Sequence, residues 1–126
     1  MEKIKMMLVD DEERFLCTTR KLLKKKGYDL QTASSGIEAL EKLKTKDIHV
    51  VILDVKLPGM DGIATLKEIK KSYPGVEVIM LTGHATVETA VEGLKSGAAD
   101  YLTKPIDIHE LVDKAHTVFE KGRKYV

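Results

Sequence analysis

Short apolar segments alternate along this chain with longer segments in which apolar residues recur every three or four positions. The short segments are residues 4–9, 28–33, 49–53, 77–82 and 99–103. Their length and their content of Ile, Val, Leu and Met are typical of β-strands. The longer segments, with the spacing of amphipathic helices, are residues 12–26, 36–45, 63–73, 86–96 and 107–121. This alternation predicts βαβ units, and therefore a parallel sheet with helices on both faces.

The five predicted strands differ in how completely apolar they are, and this difference predicts their order. The first, third and fourth are apolar nearly throughout, as strands covered on both faces should be. The second alternates apolar and polar residues and the fifth is short with a polar start, so we expect both at the sheet edges. The order 2-1-3-4-5 with right-handed crossovers satisfies this pattern. We therefore expect a doubly wound, flavodoxin-like α/β fold, formed as one domain by residues 1–126.

Each helical segment carries an apolar stripe that we expect to face the sheet. In the first helix the stripe contains Phe15, Thr19, Leu22 and Leu23. In the second it contains Ile37, Leu40 and Leu43, and in the fourth Val87, Ala90, Val91 and Leu94.

Composition and charge exclude several classes of protein. The 126 residues are 43% hydrophobic and 33% charged, which favours a globular protein with one core. The net charge of +1 argues against a nucleic-acid-binding protein that relies on a broad basic surface. Cys17 is the single cysteine, so no disulfide can form within the chain. No apolar run approaches the roughly 20 residues of a membrane span and no signal peptide is visible, so we expect a cytoplasmic protein without membrane contact.

Polar side chains follow four of the predicted strands at the point where each strand ends. They are Asp10 and Asp11, Asp54, Thr82 and Lys104. The carboxyl ends of parallel strands meet at one edge of a sheet, where ligands bind. Asp10 or Asp11 could instead cap the first helix, and Thr82 and Lys104 could be ordinary loop residues. Asp54 is harder to explain in this way, because an apolar run leads directly into it and a charge beside a core needs a partner.

Three carboxylates at one edge predict a cation site. They would repel one another, and at least one would stay protonated unless a cation joined them. Oxygen ligands at an open edge suit Mg²⁺, which retains several waters. Together with a lysine and a hydroxyl, such a site would neutralise the oxygens of a phosphoryl group in transfer. Asp54 would then be the nucleophile and become an acyl phosphate.

The sequence also resembles the receiver domain of two-component response regulators. The matching residues are the pair Asp10-Asp11, Asp54 within the pattern L-D-x-x-x-P-x-x-D-G, Thr82, and the dipeptide Lys104-Pro105. They occur in the family's order and spacing over about residues 3–121. Residues 82–107 are most similar to receivers attached to ATPase-type transcription activators. The chain is therefore either a stand-alone receiver or part of a longer regulator.

The resemblance implies a metal-dependent phosphoryl transfer. Asp54 would accept the phosphoryl group from a phosphohistidine of a sensor histidine kinase. Asp11 and Asp54 would bind Mg²⁺ directly together with the backbone carbonyl of Lys56, and Asp10 would bind it through water. Acceptance and slow loss of the phosphoryl group would be self-catalysed, and the chain would not be a turnover enzyme.

The resemblance also implies how phosphorylation is read out. Lys104 would pair with the phosphoryl oxygens, Thr82 would bond to another of them, and Tyr101 would be the switch aromatic residue. The Lys104–Pro105 peptide bond is usually cis in this family. The face formed by residues 86–121 would contact an output domain, an output protein or a second copy of the chain after phosphorylation. Lys56 and His84, two residues after Asp54 and Thr82, are predicted to set the lifetime of the phosphoryl group.

Two other functions share part of this residue pattern. A phosphatase of the haloacid dehalogenase type also uses an aspartyl nucleophile with Mg²⁺, but it needs a second acid two residues later, where this chain has Lys56. A flavodoxin-like FMN carrier would need a phosphate-cradling loop after the first strand, where the acidic run 10–13 would repel a phosphate.

Overall fold

The computed structural model describes residues 3–57, 60–83 and 87–124. The strands are β1 (Met6–Val9), β2 (Leu30–Ala33), β3 (Val50–Asp54), β4 (Glu77–Thr82) and β5 (Asp100–Thr103). The helices are α1 (Glu13–Lys25), α2 (Gly36–Leu43), α3 (Gly62–Ser72), α4 (Val87–Lys95) and α5 (Ile108–Lys124). The predicted alternation of strands and helices is confirmed, with ends that differ by up to three residues. Within the described ranges, no helix is long and apolar enough to cross a membrane.

The strands form one parallel sheet in the order β2-β1-β3-β4-β5, which confirms the predicted order and both predicted edge strands. The register matters for the site. Val9 pairs with Leu53. Asp10 and Asp54 are the next residues after this pair, so both lie at the same edge of the sheet. Asp54 is itself the last residue of β3 and pairs with Leu81, next to Thr82.

The core consists of two apolar layers, one on each face of the sheet. Met6 and Leu8 of β1 face the layer that contains residues of α1 and α5, including Leu23 and Leu111. Met7 and Val9 face the other layer, which contains residues of α2 and α3. The alternation along one fully buried strand shows that the central strands are covered on both faces, as their apolar composition predicts.

Two of the predicted helix stripes are rotated from their expected position. The buried face of α1 consists of Leu16, Thr19 and Leu23, whereas Leu22 is exposed. The expected burial of Ile37 in α2 is wrong, because this side chain is 62% exposed. Its neighbour Gly36 makes the close contact instead, since a Cβ there would lie 2.1 Å from the hydroxyl oxygen of a threonine in α3.

The prediction that α4 turns Val91 and Leu94 toward the sheet is also wrong. The two side chains are 40% and 45% exposed. The helix is buried at Gly93, where an added Cβ would lie 3.1 Å from Cγ of Met80 in β4. Because glycine has no side chain, α4 can lie close to β4 at Gly93, and the larger residues Val91 and Leu94 remain exposed. The side chains of Val87 and Ala90, also in the predicted stripe, lie outside the described set.

Candidate functional site

The predicted gathering of acidic residues at one edge of the sheet is present. Asp10, Asp11 and Asp54 each contribute a carboxylate oxygen to a group in which all three atoms lie within 4.8 Å of one another. Asp10 is fully buried, Asp54 is 6% exposed and Asp11 is exposed. The cluster is therefore buried on the side of Asp10 and Asp54 and open to solvent on the side of Asp11.

Backbone donors orient the two buried carboxylates. Oδ1 of Asp10 accepts a hydrogen bond of 2.9 Å from the backbone N–H of Glu12. Oδ1 of Asp54 accepts one of 3.0 Å from the backbone N–H of Lys56. Glu12 is the N-cap of α1 and makes no side-chain capping bond, so Asp10 satisfies an amide at the helix start as well as lining the cluster. The capping role and the cluster role are both fulfilled by the same residue.

The ammonium group of Lys104 lies among the carboxylates. Its Nζ is 2.7 Å from Oδ2 of Asp10, 3.3 Å from Oδ2 of Asp54 and 3.5 Å from Oε1 of Glu12. The same Nζ lies 5.2 Å from the ring centroid of Phe15 in α1. The structure thus brings the predicted lysine to the predicted aspartates, and adds two residues that the sequence analysis missed.

These charges shift two pKa values. Burial raises the pKa of Asp54 and the nearby charge of Asp10 adds to this, whereas the Lys56 N–H and the Lys104 ammonium act in the opposite sense. Burial alone would lower the pKa of Lys104, but Asp10 and Asp54 outweigh it and raise that pKa to about 12. Lys104 is therefore a permanent cation at neutral pH, in contact with a carboxylate that is costly to ionise.

Thr82 lies beside this cluster at the end of β4 and is buried. Its backbone oxygen accepts a hydrogen bond of 2.8 Å from the backbone N–H of Lys104, which ties the end of β4 to the loop after β5. The Lys104–Pro105 peptide bond is cis, as the resemblance implies. Tyr101 in β5 is exposed, and its ring centroid lies 5.4 Å from Nζ of Lys114 in α5. His84 lies outside the described residues.

The start of α3 lies directly against the backbone at the end of β3. Asp61 caps the helix by accepting a hydrogen bond of 2.8 Å from the N–H of Ala64. The N–H of Gly62 donates to the carbonyl oxygen of Val55 at 3.1 Å. A Cβ on Gly62 would lie only 2.4 Å from the carbonyl oxygen of Asp54, so this position requires glycine. Both residues of the Asp61-Gly62 pair therefore have a structural role, since Asp61 caps α3 and Gly62 leaves room for the Asp54 carbonyl oxygen.

The acidic cluster could hold a metal ion. Oδ2 of Asp10 is buried and, within the described residues, meets no donor at a hydrogen-bonding angle, although Nζ of Lys104 is only 2.7 Å away. The Lys104 ammonium supplies one positive charge here, whereas the cluster contains three carboxylates, so a further cation would balance their charge. The ligand atoms are all oxygens, and this set suits a hard cation such as Mg²⁺. The residues present thus fit the group that the sequence predicts.

The sequence model of the response regulator receiver domain matches residues 6–116. This chain belongs to the receiver-domain family of response regulators. As a receiver domain it is a phosphoacceptor signalling domain rather than a dedicated enzyme. The phosphatase alternative is not favoured.

Curated relatives of this receiver domain include transcriptional regulators. It is 43% identical over 110 residues to the transcriptional regulatory protein ZraR of Klebsiella oxytoca, which covers 87% of this chain and 25% of that protein. It is 39% identical over 120 residues to the DNA-binding transcriptional regulator NtrC of Klebsiella pneumoniae, with 93% and 26% covered. The chain thus spans about a quarter of the length of these relatives.

Solved structures share the fold of this receiver domain. A CheY-like receiver from Methanospirillum hungatei JF-1 superposes with a TM-score of 0.90 at 30% identity and covers 99% of this chain and 100% of its own. NtrX from Brucella abortus, in complex with ADP, superposes with a TM-score of 0.90 at 32% identity and covers 98% of this chain and 29% of its own. The similarity therefore includes a receiver of about this length and one within a longer protein.

Proposed function

We propose that Asp54 is the phosphoacceptor of this receiver domain, and that it takes its phosphoryl group from a phosphohistidine of a sensor histidine kinase in a reaction that needs Mg²⁺. The observation that carries this proposal is the surroundings of Asp54. Its Oδ1 is held by the Lys56 N–H, its Oδ2 lies 3.3 Å from the Lys104 ammonium, and two further carboxylates lie within reach of one cation. This arrangement orients a nucleophile and surrounds it with groups that neutralise a phosphoryl group.

The transfer follows from the charges around Asp54. An oxygen of the ionised Asp54 carboxylate forms the new bond to phosphorus while the P–N bond to the donor histidine breaks. The leaving imidazole takes up a proton from solvent. Lys104, with its pKa of about 12, keeps its positive charge and pairs with a phosphoryl oxygen. The Thr82 hydroxyl donates a hydrogen bond to another phosphoryl oxygen.

The metal ion has a defined set of candidate ligands. Asp11, Asp54 and the backbone carbonyl of Lys56 would hold Mg²⁺ directly, and Asp10 would hold it through water. When bound, Mg²⁺ neutralises charge on the carboxylates and on the phosphoryl group. Oδ2 of Asp10 supports this set, because it is buried, lacks a well-aligned donor among the described residues and could accept a hydrogen bond from a metal-bound water.

The acyl phosphate on Asp54 persists because this chain lacks the carboxylic acid that a phosphatase of the haloacid dehalogenase type has two residues after its nucleophile. The position two residues after Asp54 is the exposed Lys56, which has an amine where such a phosphatase has a carboxyl group. The chain therefore catalyses its own phosphorylation and loses the phosphoryl group slowly. This slow loss suits a signal, whereas a turnover enzyme requires rapid hydrolysis.

The signal is read at the face formed by residues 86–121, through Thr82 and Tyr101. The exposure of Tyr101, Val91 and Leu94 supports this proposal, because these residues place apolar surface where a partner can cover it. The partner is an output domain, an output protein or a second phosphorylated copy of the chain. We further propose that residues 1–126 form one cytoplasmic receiver domain, which itself binds neither nucleic acid nor membrane.

Labelling with acetyl phosphate tests the assignment of Asp54. In the presence of Mg²⁺, mass spectrometry should show one added phosphoryl group that is labile to base and to hydroxylamine. The variant Asp54→Asn should not be labelled, whereas Asp47→Asn, an exposed carboxylate paired with Lys5, should be labelled normally. Stoichiometric labelling of Asp54→Asn would show that the phosphoacceptor is another residue.

A further inference from the structure

The ring of Phe15 is an uncharged group that lies close to the Lys104 ammonium. Its centroid lies 5.2 Å from Nζ, inside the distance of about 6 Å at which a cation is attracted to an aromatic face. Phe15 belongs to α1, which follows the acidic pair, whereas Lys104 belongs to the loop after β5. The contact therefore joins the two ends of the site across the sheet edge.

We propose that Phe15 is a positioning residue for phosphoryl transfer, whose ring holds the Lys104 ammonium over Asp54. This inference rests on the proposed function, because it concerns how Lys104 reaches the phosphoryl group. A lysine side chain has several rotatable bonds and loses much conformational freedom when its ammonium is held in one place. A contact that limits this freedom before the donor arrives lowers the entropic cost of the transfer.

The carboxylates around Lys104 are poorly suited to holding its ammonium in one position throughout the transfer. Asp10, Asp54 and Glu12 lie 2.7 Å, 3.3 Å and 3.5 Å from Nζ, so the ammonium is shared among three acceptors. Asp54 changes its charge and shape when it is phosphorylated, and Asp10 belongs to the candidate metal site. The Phe15 ring is neither ionised, bound to metal nor phosphorylated, so its attraction for the charged Lys104 ammonium does not depend on changes at the carboxylates.

The surroundings of Phe15 keep its ring in place. The ring is half-buried and packs against the apolar layer that contains Leu16 and Leu23 of α1. It also lines a groove with Leu22, Pro105 and Ile106, so it faces the same space as the segment that carries Lys104. The ring is thus fixed by the core on one side and faces the ammonium on the other.

A simpler role for Phe15 would be apolar packing in this groove. Substitutions of Phe15 distinguish this packing role from the positioning of Lys104. Phe15→Tyr keeps a ring at the same place, whereas Phe15→Leu keeps an apolar side chain and removes the ring. Leu22→Ala is the matched control, because Leu22 lines the same groove but is exposed and has no contact with Lys104 among those described. The free energy of unfolding of each variant is measured by urea denaturation, so that a loss of stability is recognised.

The first measurement is the initial rate at which acetyl phosphate and Mg²⁺ label Asp54. We expect Phe15→Leu to be slowed about 3- to 10-fold, the range in which one cation–π contact acts, and Phe15→Tyr to stay within about twofold of the wild type. Leu22→Ala should label at the wild-type rate. Normal labelling of Phe15→Leu, an equal loss in Phe15→Tyr, or an equal loss in Leu22→Ala would each overturn the proposal.

The second measurement needs neither metal nor phosphoryl donor. In the metal-free protein, NMR signals of the Lys104 Cε methylene group should carry an upfield ring-current shift, which Phe15→Leu removes and Phe15→Tyr retains. Unchanged Lys104 shifts in Phe15→Leu would show that the ring does not hold the ammonium, and would overturn the proposal. If the wild type were not labelled on Asp54, the proposed function would fail, while this spectrum would still decide whether the contact exists.

Discussion

Removing the charge of Asp54 should make the metal-free protein more stable. In Asp54→Asn, Oδ1 of the amide can still accept the hydrogen bond from the Lys56 N–H, so the local structure should persist. What disappears is a buried negative charge beside two others. We therefore expect a higher free energy of unfolding for Asp54→Asn at neutral pH in the presence of a chelator, although the variant has lost its proposed function.

The size of the effect follows from the distances. The carboxylate oxygens of the acidic cluster lie within 4.8 Å of one another, and two charges at that distance repel by about 3.5 kcal/mol at an effective dielectric constant of about 20. The Lys104 ammonium, 3.3 Å from Asp54, attracts it by about 5 kcal/mol on the same scale. The substitution relieves two such repulsions and loses one attraction, while solvent weakens the contribution of the exposed Asp11. The expected gain is roughly 1–3 kcal/mol.

Urea denaturation measures this gain. With an unchanged m-value, a gain of this size moves the midpoint upward by about 1 M urea. Asp47→Asn is the control, because that exposed carboxylate lies outside the cluster and should change the stability by less than about 0.5 kcal/mol. Saturating Mg²⁺ should stabilise the wild type more than Asp54→Asn, and so reduce the gap. A variant that is less stable than the wild type in chelator would refute the electrostatic argument.

The difference in stability between Asp54→Asn and the wild type should also depend on pH, in a direction that follows from the pKa of Asp54. The pKa of Asp54 is raised in the folded protein, so folding favours the protonated form. Ionised Asp54 therefore costs stability above this raised pKa, where the gap between variant and wild type is complete. As the pH falls from there toward the ordinary value of 3.8, the wild type gains relative to Asp54→Asn and the gap closes. A gap that widens on acidification would contradict the direction of the shift.

Three further predictions concern the metal, the lifetime and the output face. Asp11→Ala should weaken Mg²⁺ binding more than Asp10→Ala, and a titration that shows the opposite order would exchange the proposed direct and water-mediated roles. Replacing Lys56 and His84 together by small residues should change the dephosphorylation rate without preventing phosphorylation, and an unchanged rate would count against the predicted role of both. Beryllofluoride with Mg²⁺ should shift the amide NMR signals of residues 86–103, whereas shifts confined to the site loops would reject the proposed switch.

Much of the fold and site could be predicted because both depend on the order of residues along the strands. Apolar content separates central from edge strands, since only central strands are covered on both faces. Parallel strands end at one edge, so residues that follow them meet there whatever the details of packing. Asp10, Asp54, Thr82 and Lys104 could therefore be placed together without knowing any distance.

Contacts that depend on helix rotation and on rotamers could not be predicted. Helical spacing defines which residues share a stripe, but it leaves open which edge of the stripe faces the sheet. In α2 and α4 the contacts at Gly36 and Gly93 decide this rotation, and Ile37 and Val91 become exposed. The contact of Phe15 with the ammonium depends on the rotamer of a long lysine side chain. A period of three to four residues carries no information about that rotamer.

The position of Lys104 connects the proposed phosphorylation site to the proposed output face. Three carboxylates share this ammonium, and if Asp54 is phosphorylated as proposed, the new phosphoryl oxygens compete with Asp10 for it. The backbone of Lys104 is bonded to the carbonyl oxygen of Thr82, and the residue before it pairs with Thr82 in the sheet. A movement of Lys104 would therefore be transmitted to the end of β5, two residues from Tyr101. Because a difference of about 1–3 kcal/mol is enough to shift a two-state equilibrium, the exchange of one short ion pair for another would be sufficient to drive the proposed switch.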